Sequence, residues 1–198
     1  MCKDSHSLYR FLLLISFLFT TQTIQAQVAD LPTRWTKAAL AASMPLSEYP
    51  RPQLQRSQWL CLNGTWNYQG GQSVASASNP TRAIDFPTTT EKIRVPYCPE
   101  SVLSGIKRKQ EINMWYQRSF TLPADWTGKQ ILLHFEAVDH QATVFVNGQK
   151  VGSHAGGYDP FSFDITAFLT KGSNSLVVAA YDANDGRTPS GKNGPRGD

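Results

Sequence analysis

The sequence predicts an all-β protein, an antiparallel jelly-roll β-sandwich, on three observations. Short stretches of period-two alternation recur along the chain, as in Ile131, Leu133, Phe135 and Ala137, resumed by Ala142, Val144 and Val146 after the polar corner Asp139-His140-Gln141. Turn residues separate these stretches; Asn147-Gly148 suits the positive φ that a type I′ hairpin demands at both central positions. Only one segment, residues 33–43, has helical character, and that segment is short. About eight short strands with turn chemistry between them make a sandwich rather than an α/β fold.

Taken in order, Lys3 and Arg10 precede the apolar run 11–19, and Ala26 offers a small residue for cleavage. Residues 1–26 therefore read as a secretory signal, too short for a membrane anchor, and the protein is expected to be exported, periplasmic or extracellular. Residues 27–49 form a leader whose helix, 33–43, has Thr33 as its expected cap and is ended by Pro45, Pro50 and Pro52. A strand over 58–68 carries a kink at Gly64. Residues 70–90, rich in Gly, Ser, Thr and Pro, read as a long surface loop tolerant of substitution, closed by a strand at 92–95. Residues 96–105 are a crossover in which Glu100-Ser101 opens a helical turn. Strands follow at 114–122, 131–137, 142–146, onward through the hairpin to Val151, at 162–166 and at 175–182; residues 182–198 turn to Gly, Asp, Asn, Pro and Arg.

The composition, 40% hydrophobic and 17% charged over 198 residues, is that of one globular domain. Loss of the signal removes two positive charges and one negative from the net +4, leaving +3 without a basic block, so nucleic-acid binding is unsupported. Cys2 leaves with the signal. Cys61 and Cys98 remain, an even pair that permits one disulfide in an oxidising compartment, with two free thiols as the alternative.

Asn147-Gly148-x-x-Val151-Gly152-x-His154-x-Gly156-Gly157-Tyr158-x-Pro160-Phe161, followed by Phe163-Asp164-Ile165-Thr166, resembles the N-terminal sugar-binding β-sandwich of glycoside hydrolase family 2, the family of β-galactosidases, β-glucuronidases and β-mannosidases. Arg51-Pro52, the run Leu62 to Trp66, Val95-Pro96-Tyr97 with Pro99-Glu100-Ser101, Trp115-Tyr116-x-Arg118-x-Phe120 and Asp182-x-x-Asp185-Gly186 fit the same domain in the same order. The resemblance covers residues 50 to 190, and it implies a galactose-binding-domain-like sandwich over 50–198, a carbohydrate substrate with β linkages and no cofactor. It also implies one more strand, an immunoglobulin-like domain and a catalytic barrel after Asp198, so the chain reads as the N-terminal part of a retaining hydrolase. In the family an Asn before the Trp-Tyr strand and an Asp near the final strand reach the active site; Asn113 is the nearest match for the first, and Asp185 stands in for the second. The Gly156 to Phe161 loop offers Tyr158 and Asp159 for sugar contact, with packing on the barrel as the alternative.

Retaining hydrolysis needs two carboxylates about 5 Å apart. None of Glu48, Glu91, Glu100, Glu111 and Glu136 follows an Asn, as the family acid/base does. Glu136 with Asp139 is the one local pair, on a strand end and its corner, where a solvated turn is the simpler account. His134, His140 and His154 with Asp139 fit no zinc spacing. The stretch Asp182 to Gly186 begins like a calcium loop but has Asn193 where the bidentate Glu belongs. Asn63-Gly64-Thr65 spells a glycosylation acceptor, though Asn-Gly shapes the turn there, and the terminal Arg-Gly-Asp is spelling alone. Two further readings stay open, a free-standing carbohydrate-binding module and a structural sandwich without ligand.

Overall fold

The computed structural model describes residues 32–48, 54–71, 73–86, 90–108 and 111–183. The signal segment and Asp185 lie outside the described residues. One short helix, α1 (Thr36–Ala41), precedes eight strands: β1 (Gly64–Gly70), β2 (Glu91–Val95), β3 (Asn113–Thr121), β4 (Leu132–Phe135), β5 (Gln141–Val146), β6 (Gln149–Ala155), β7 (Phe161–Asp164) and β8 (Ser173–Tyr181). All pairings are antiparallel, in a six-stranded sheet of order β2-β1-β3-β8-β5-β6 and a two-stranded sheet β4-β7. The expected β-sandwich is what forms.

Alternation decides the faces. Trp66 and Tyr68 of β1, Met114 and Phe120 of β3, Val144 and Val146 of β5, and Leu176, Val178 and Ala180 of β8 point inward against Ile131, Leu133 and Ile165. The opposite face of the large sheet is not left to solvent: Trp115, Phe145, Val177 and Ala179 bury a second, smaller core beneath Val74, Ala77, Ile84 and Phe86. The stretch expected to be a tolerant surface loop is thus a packed strap. Ala77 is 1% exposed, Ala77 N donates to Asn113 Oδ1 at 2.9 Å, and Trp115 Nε1 donates to the Ala75 carbonyl at 2.8 Å. Its polar composition misled because its few apolar residues are spaced to meet one sheet face.

Two other expectations are corrected. Thr33 is not the helix cap; its Oγ1 accepts from Trp35 N, and Trp35 holds the cap position without a side-chain bond. The first strand begins only at Gly64, whose φ of 109° breaks the run, and the residues before it are irregular. Arg118 donates to the carbonyls of Leu62 and Asn63 and holds that turn. Asn63 Nδ2 donates to the Pro45 carbonyl at 3.1 Å, so the amide of the Asn-Gly-Thr sequon is engaged in shaping the turn.

The hairpin forms as the sequence requires, with Asn147 at φ 50° and Gly148 at φ 79° between β5 and β6. Ser101 Oγ accepts from Leu103 N and opens the expected turn, the 3₁₀ segment Val102–Ser104. Gly152 of β6 has a different role: a Cβ there would lie 2.4 Å from Cε1 of Phe163, which packs under it to join the two sheets. Gly152→Ala is expected to lower stability by about 1–3 kcal/mol through overpacking, read as a shift of the urea midpoint at unchanged m-value; an unmoved midpoint would show that the ring yields freely.

Candidate functional site

Two features of the sandwich combine chemistry with access. The first is an open cleft of about 1440 Å³ between the sheets, walled by residues 55–63, 95–100 and 129–139 and floored by inward residues of β3 and β8. It exists because two strands cannot cover six. Trp59 stacks on His134 along one wall, ring centroids 5.7 Å apart. His134 Nδ1 lies 2.5 Å from Ser162 Oγ, and burial, with Arg56 nearby, lowers its pKa while Glu136 opposes this.

The second feature is the end of the sandwich where Asn113, Tyr181 and Gln141 stand in register. Here the chain leaves β8 at Asp182, whose N–H donates to the Ile112 carbonyl, and the corner 137–140 meets the loop 156–160, Gly156 N donating to the His140 carbonyl at 2.8 Å. Gly157 is needed for this approach, since a Cβ on it would lie 2.4 Å from Asp139 Oδ1. Beneath the loop His154 stacks on Phe161 at 4.2 Å, and Phe161 on Phe135 at 4.8 Å, an aromatic ladder across β6, β7 and β4.

Carboxylates gather at this end. Burial raises the Asp182 pKa, and Asp139 and then Glu100 add to the rise, with His140 opposing. Arg108 is held between Glu91, at 2.7 Å, and the buried Glu111. Tyr68 and Tyr116 pack edge to face, 5.1 Å apart. Burial pushes both phenols far above their ordinary values; Tyr116 and Glu111 add to the shift of Tyr68, Glu100 and Glu111 to that of Tyr116. A carboxyl whose folded pKa is raised binds its proton more tightly folded than unfolded, so its contribution falls as pH rises from the ordinary value of about 3.9 through the raised one. Asp182→Asn is therefore expected to raise the melting temperature at pH 7, with the gain vanishing below the ordinary carboxyl range; a loss at pH 7 would mean that the carboxylate has a stabilising partner.

The sequence-derived residues fall unequally on this geometry. Asn113 is at the right end of the sheet, but its side chain serves the strap through Ala77 rather than an open site. Tyr158, 75% exposed, and Asp159 sit on the loop as expected, with Asp159 Oδ2 beside Gly156. Cys61 and Cys98 both border the cleft as free thiols; Cys61 Sγ faces the Leu46 carbonyl at 3.9 Å, and burial, with Glu100 next, raises the Cys98 pKa. The bridge that an even cysteine count permits is thus absent from this structure, the two sulfurs being turned to different neighbours. Glu136 and Asp139 are both exposed, Asp139 lying beside Gly157, so the local carboxylate pair is the solvated turn of the simpler account. The three histidines are spread over β4, the corner and β6, and among the described residues no group of three His, Cys, Asp or Glu is arranged to hold a metal ion. Sequence reasoning gave no site role to Tyr68 or Arg108, and weighed Glu111 only as a catalytic glutamate and Asp182 only in its motif and as a calcium-loop start; the one signal for the Arg108–Glu111 pair was a Glu three residues after an Arg, shortly before a strand.

The fold is a two-sheet β-sandwich module whose corner 137–140 and loop 156–160 meet at one end. The chain belongs to glycosyl hydrolases family 2, as its sugar binding domain, the model of which matches residues 24–188. It is 40% identical over 130 residues to a β-galactosidase of Thermoanaerobacter pseudethanolicus, covering 64% of this chain and 17% of that protein. It is 33% identical over 125 residues to a β-glucuronidase of Bacteroides fragilis, covering 62% and 16%. Among solved structures, a Faecalibacterium prausnitzii β-glucuronidase aligns over 68% of this chain and 22% of its own, at 32% identity and TM-score 0.51. The chain thus spans less than a quarter of the length of each of these relatives.

Proposed function

We propose that the chain is the N-terminal sugar-binding domain of an exported family 2 glycoside hydrolase that removes β-linked sugars in carbohydrate breakdown, with catalysis supplied by a barrel outside these residues. The observation that carries this reading is the family match over residues 24–188, which falls on a small share of enzymes named β-galactosidase and β-glucuronidase. The open cleft agrees with it: β4 pairs only with β7 among the described residues, and a further strand on its free edge would close the sandwich. In this reading Tyr158 and Asp159, exposed on the loop of the Asn113 end, reach toward a sugar bound by the barrel, with Asp185 beyond them in sequence.

The test compares two proteins on nitrophenyl β-galactoside, β-glucuronide and β-mannoside. The 198-residue chain is expected to give no turnover, because none of its glutamates stands in a family catalytic motif, while the full reading frame hydrolyses one of the three with retention. Turnover by the short chain that is lost in Glu136→Gln would place the chemistry here instead. An inactive full frame that still binds sugar would favour a carbohydrate-binding module.

A further inference from the structure

The leader residues 32–48 are attached to the sandwich by their backbone rather than by their large side chains. Arg94 Nη1 donates to the Leu40 carbonyl at 3.1 Å, and Asn63 Nδ2 donates to the carbonyls of Pro45 at 3.1 Å and Leu46 at 3.4 Å. Of the side chains in this stretch only Pro45 is buried. Trp35 is 65% exposed and Leu46 60%, and Leu40 and, a little further on, Leu54 are exposed as well. These are four of the six large hydrophobic residues that stand exposed among the described residues. Helix α1 has six residues, none of them buried, and no side-chain cap; a helix that short is marginal in water unless it has a face to bury. A single exposed leucine is ordinary, but four large apolar residues between positions 35 and 54 mark a surface that something covers.

Beside Leu40 this surface is also shaped. A hollow of about 220 Å³ opens there, bordered by Leu40, Val102 and Leu103 and by Lys92 and Arg94 of β2. It is smaller than the roughly 300–1,000 Å³ of a small-molecule pocket and is of a size to seat one side chain. β2 is an edge strand, paired with β1 alone among the described residues, so the hollow lies at the margin of the sheet. The cations around it meet neutral groups: Lys92 donates to Asn67 Oδ1, Arg94 to the Leu40 carbonyl, and the Arg34 guanidinium lies over the Trp35 ring, 4.8 Å from its centroid. A surface that complements this one is apolar at its centre and acidic at its rim.

We propose that Trp35, Leu40 and Leu46, with the hollow beside them, form a docking surface for a later part of the same polypeptide, which seats an apolar side chain in the hollow and sets carboxylates against Lys92 and Arg94. The inference rests on the reading of the chain as the N-terminal domain of a longer protein. Two observations choose this occupant. The family model matches from residue 24, so the leader belongs to what the chain shares with enzymes of which it covers less than a quarter. The surface is also small: a few side chains and one hollow fall short of the roughly 20–30 residues a side that hold separate proteins together, whereas a tethered segment is present at an effective concentration of about millimolar and needs far less.

The test labels the 198-residue chain and the protein of the full reading frame with hydroxyl radicals and reads side-chain oxidation by mass spectrometry. Oxidation of Trp35, Leu40 and Leu46 is expected to fall about ten-fold or more in the full protein, as water is excluded from a packed interface. The Trp35→Ser, Leu40→Glu double variant gives a second arm: the urea midpoint of the 198-residue chain should stay in place, because both side chains are exposed there, while the full protein melts at a lower temperature. A full protein that hydrolyses one of the nitrophenyl glycosides while Trp35 is oxidised as fast as in the 198-residue chain would overturn the docking surface and leave the hydrolase reading standing. Protection of Trp35 in a full protein that turns over none of them would support the surface and sink the hydrolase reading; a reading frame that stops at Asp198 would overturn both. Protection confined to a self-associated fraction would assign the surface to a second copy and overturn the proposal, as would an unmoved melting temperature of the full variant or an equal loss in the short one.

Discussion

Trp115→Ala is expected to cost about 3–5 kcal/mol, the range for removing a large buried aromatic, against a typical domain stability of about 5–15 kcal/mol. Trp115 is 1% exposed, stacks on Phe145 with centroids 6.4 Å apart, and binds the Ala75 carbonyl through Nε1. Its loss opens a cavity on the outer face of the large sheet and frees the strap over residues 73–86. Trp115→Phe separates the two effects in part, because a smaller ring stays against Phe145 while the hydrogen bond to the Ala75 carbonyl goes, at a cost of about 0.5–1.5 kcal/mol for the bond beyond the lost ring contact. Denaturant midpoints should order wild type, Phe, then Ala, and amide exchange at Ala77 should accelerate in both variants. Equal midpoints for all three would mean that the strap contributes nothing and the second core is incidental.

Asn147→Ala is expected to cost about 4 kcal/mol, from three side-chain hydrogen bonds of about 1 kcal/mol each and about 1 kcal/mol for a positive φ that alanine tolerates poorly. Asn147 Nδ2 donates to the Phe168 carbonyl and to Asn174 Oδ1, each at 2.8 Å, while its Oδ1 accepts from Ser175 N at 2.9 Å. One amide thus ties the hairpin to β8 and to the 3₁₀ segment Thr166–Phe168. Asn147→Gly restores the backbone freedom without the bonds, and should recover roughly 1 kcal/mol of the loss. Asn147→Asp keeps the acceptor for Ser175 but turns a carboxylate oxygen toward two acceptors, and should destabilise at neutral pH and recover on acidification. If Gly matched wild type, the turn conformation alone would matter and the amide network would be dispensable.

The sandwich was legible because its strands obey a local rule. Alternation in 142–146 and 175–182, and the Asn147-Gly148 turn, place side chains on faces with no reference to distant residues, and β5, β6 and β8 formed within a few positions of expectation. The first strand was not, because Trp59 and Cys61 alternate like strand residues while Gly64 breaks the backbone; whether residues 58–63 join a ladder depends on a partner strand, and no strand among the described residues pairs with them. The candidate site was half legible. A motif can be read, so Tyr158 and Asp159 were found on their loop. The buried polar cluster cannot be read, because Tyr68, Arg108 with Glu111, and His154 come from three segments that meet only after the sheet has assembled.

Periodicity and turn residues by themselves determined an all-β chain, its hairpin and its family motif, since each depends on residues a few positions apart. Tertiary structure alone decided that the polar-looking loop is a strap, that Asn113 is spent on holding it, that two cysteines border one cleft without bonding, and that carboxylates gather at one end. Those outcomes depend on which faces meet across 30 or more residues of sequence, where burial and charge are set by packing and not by the order of the chain.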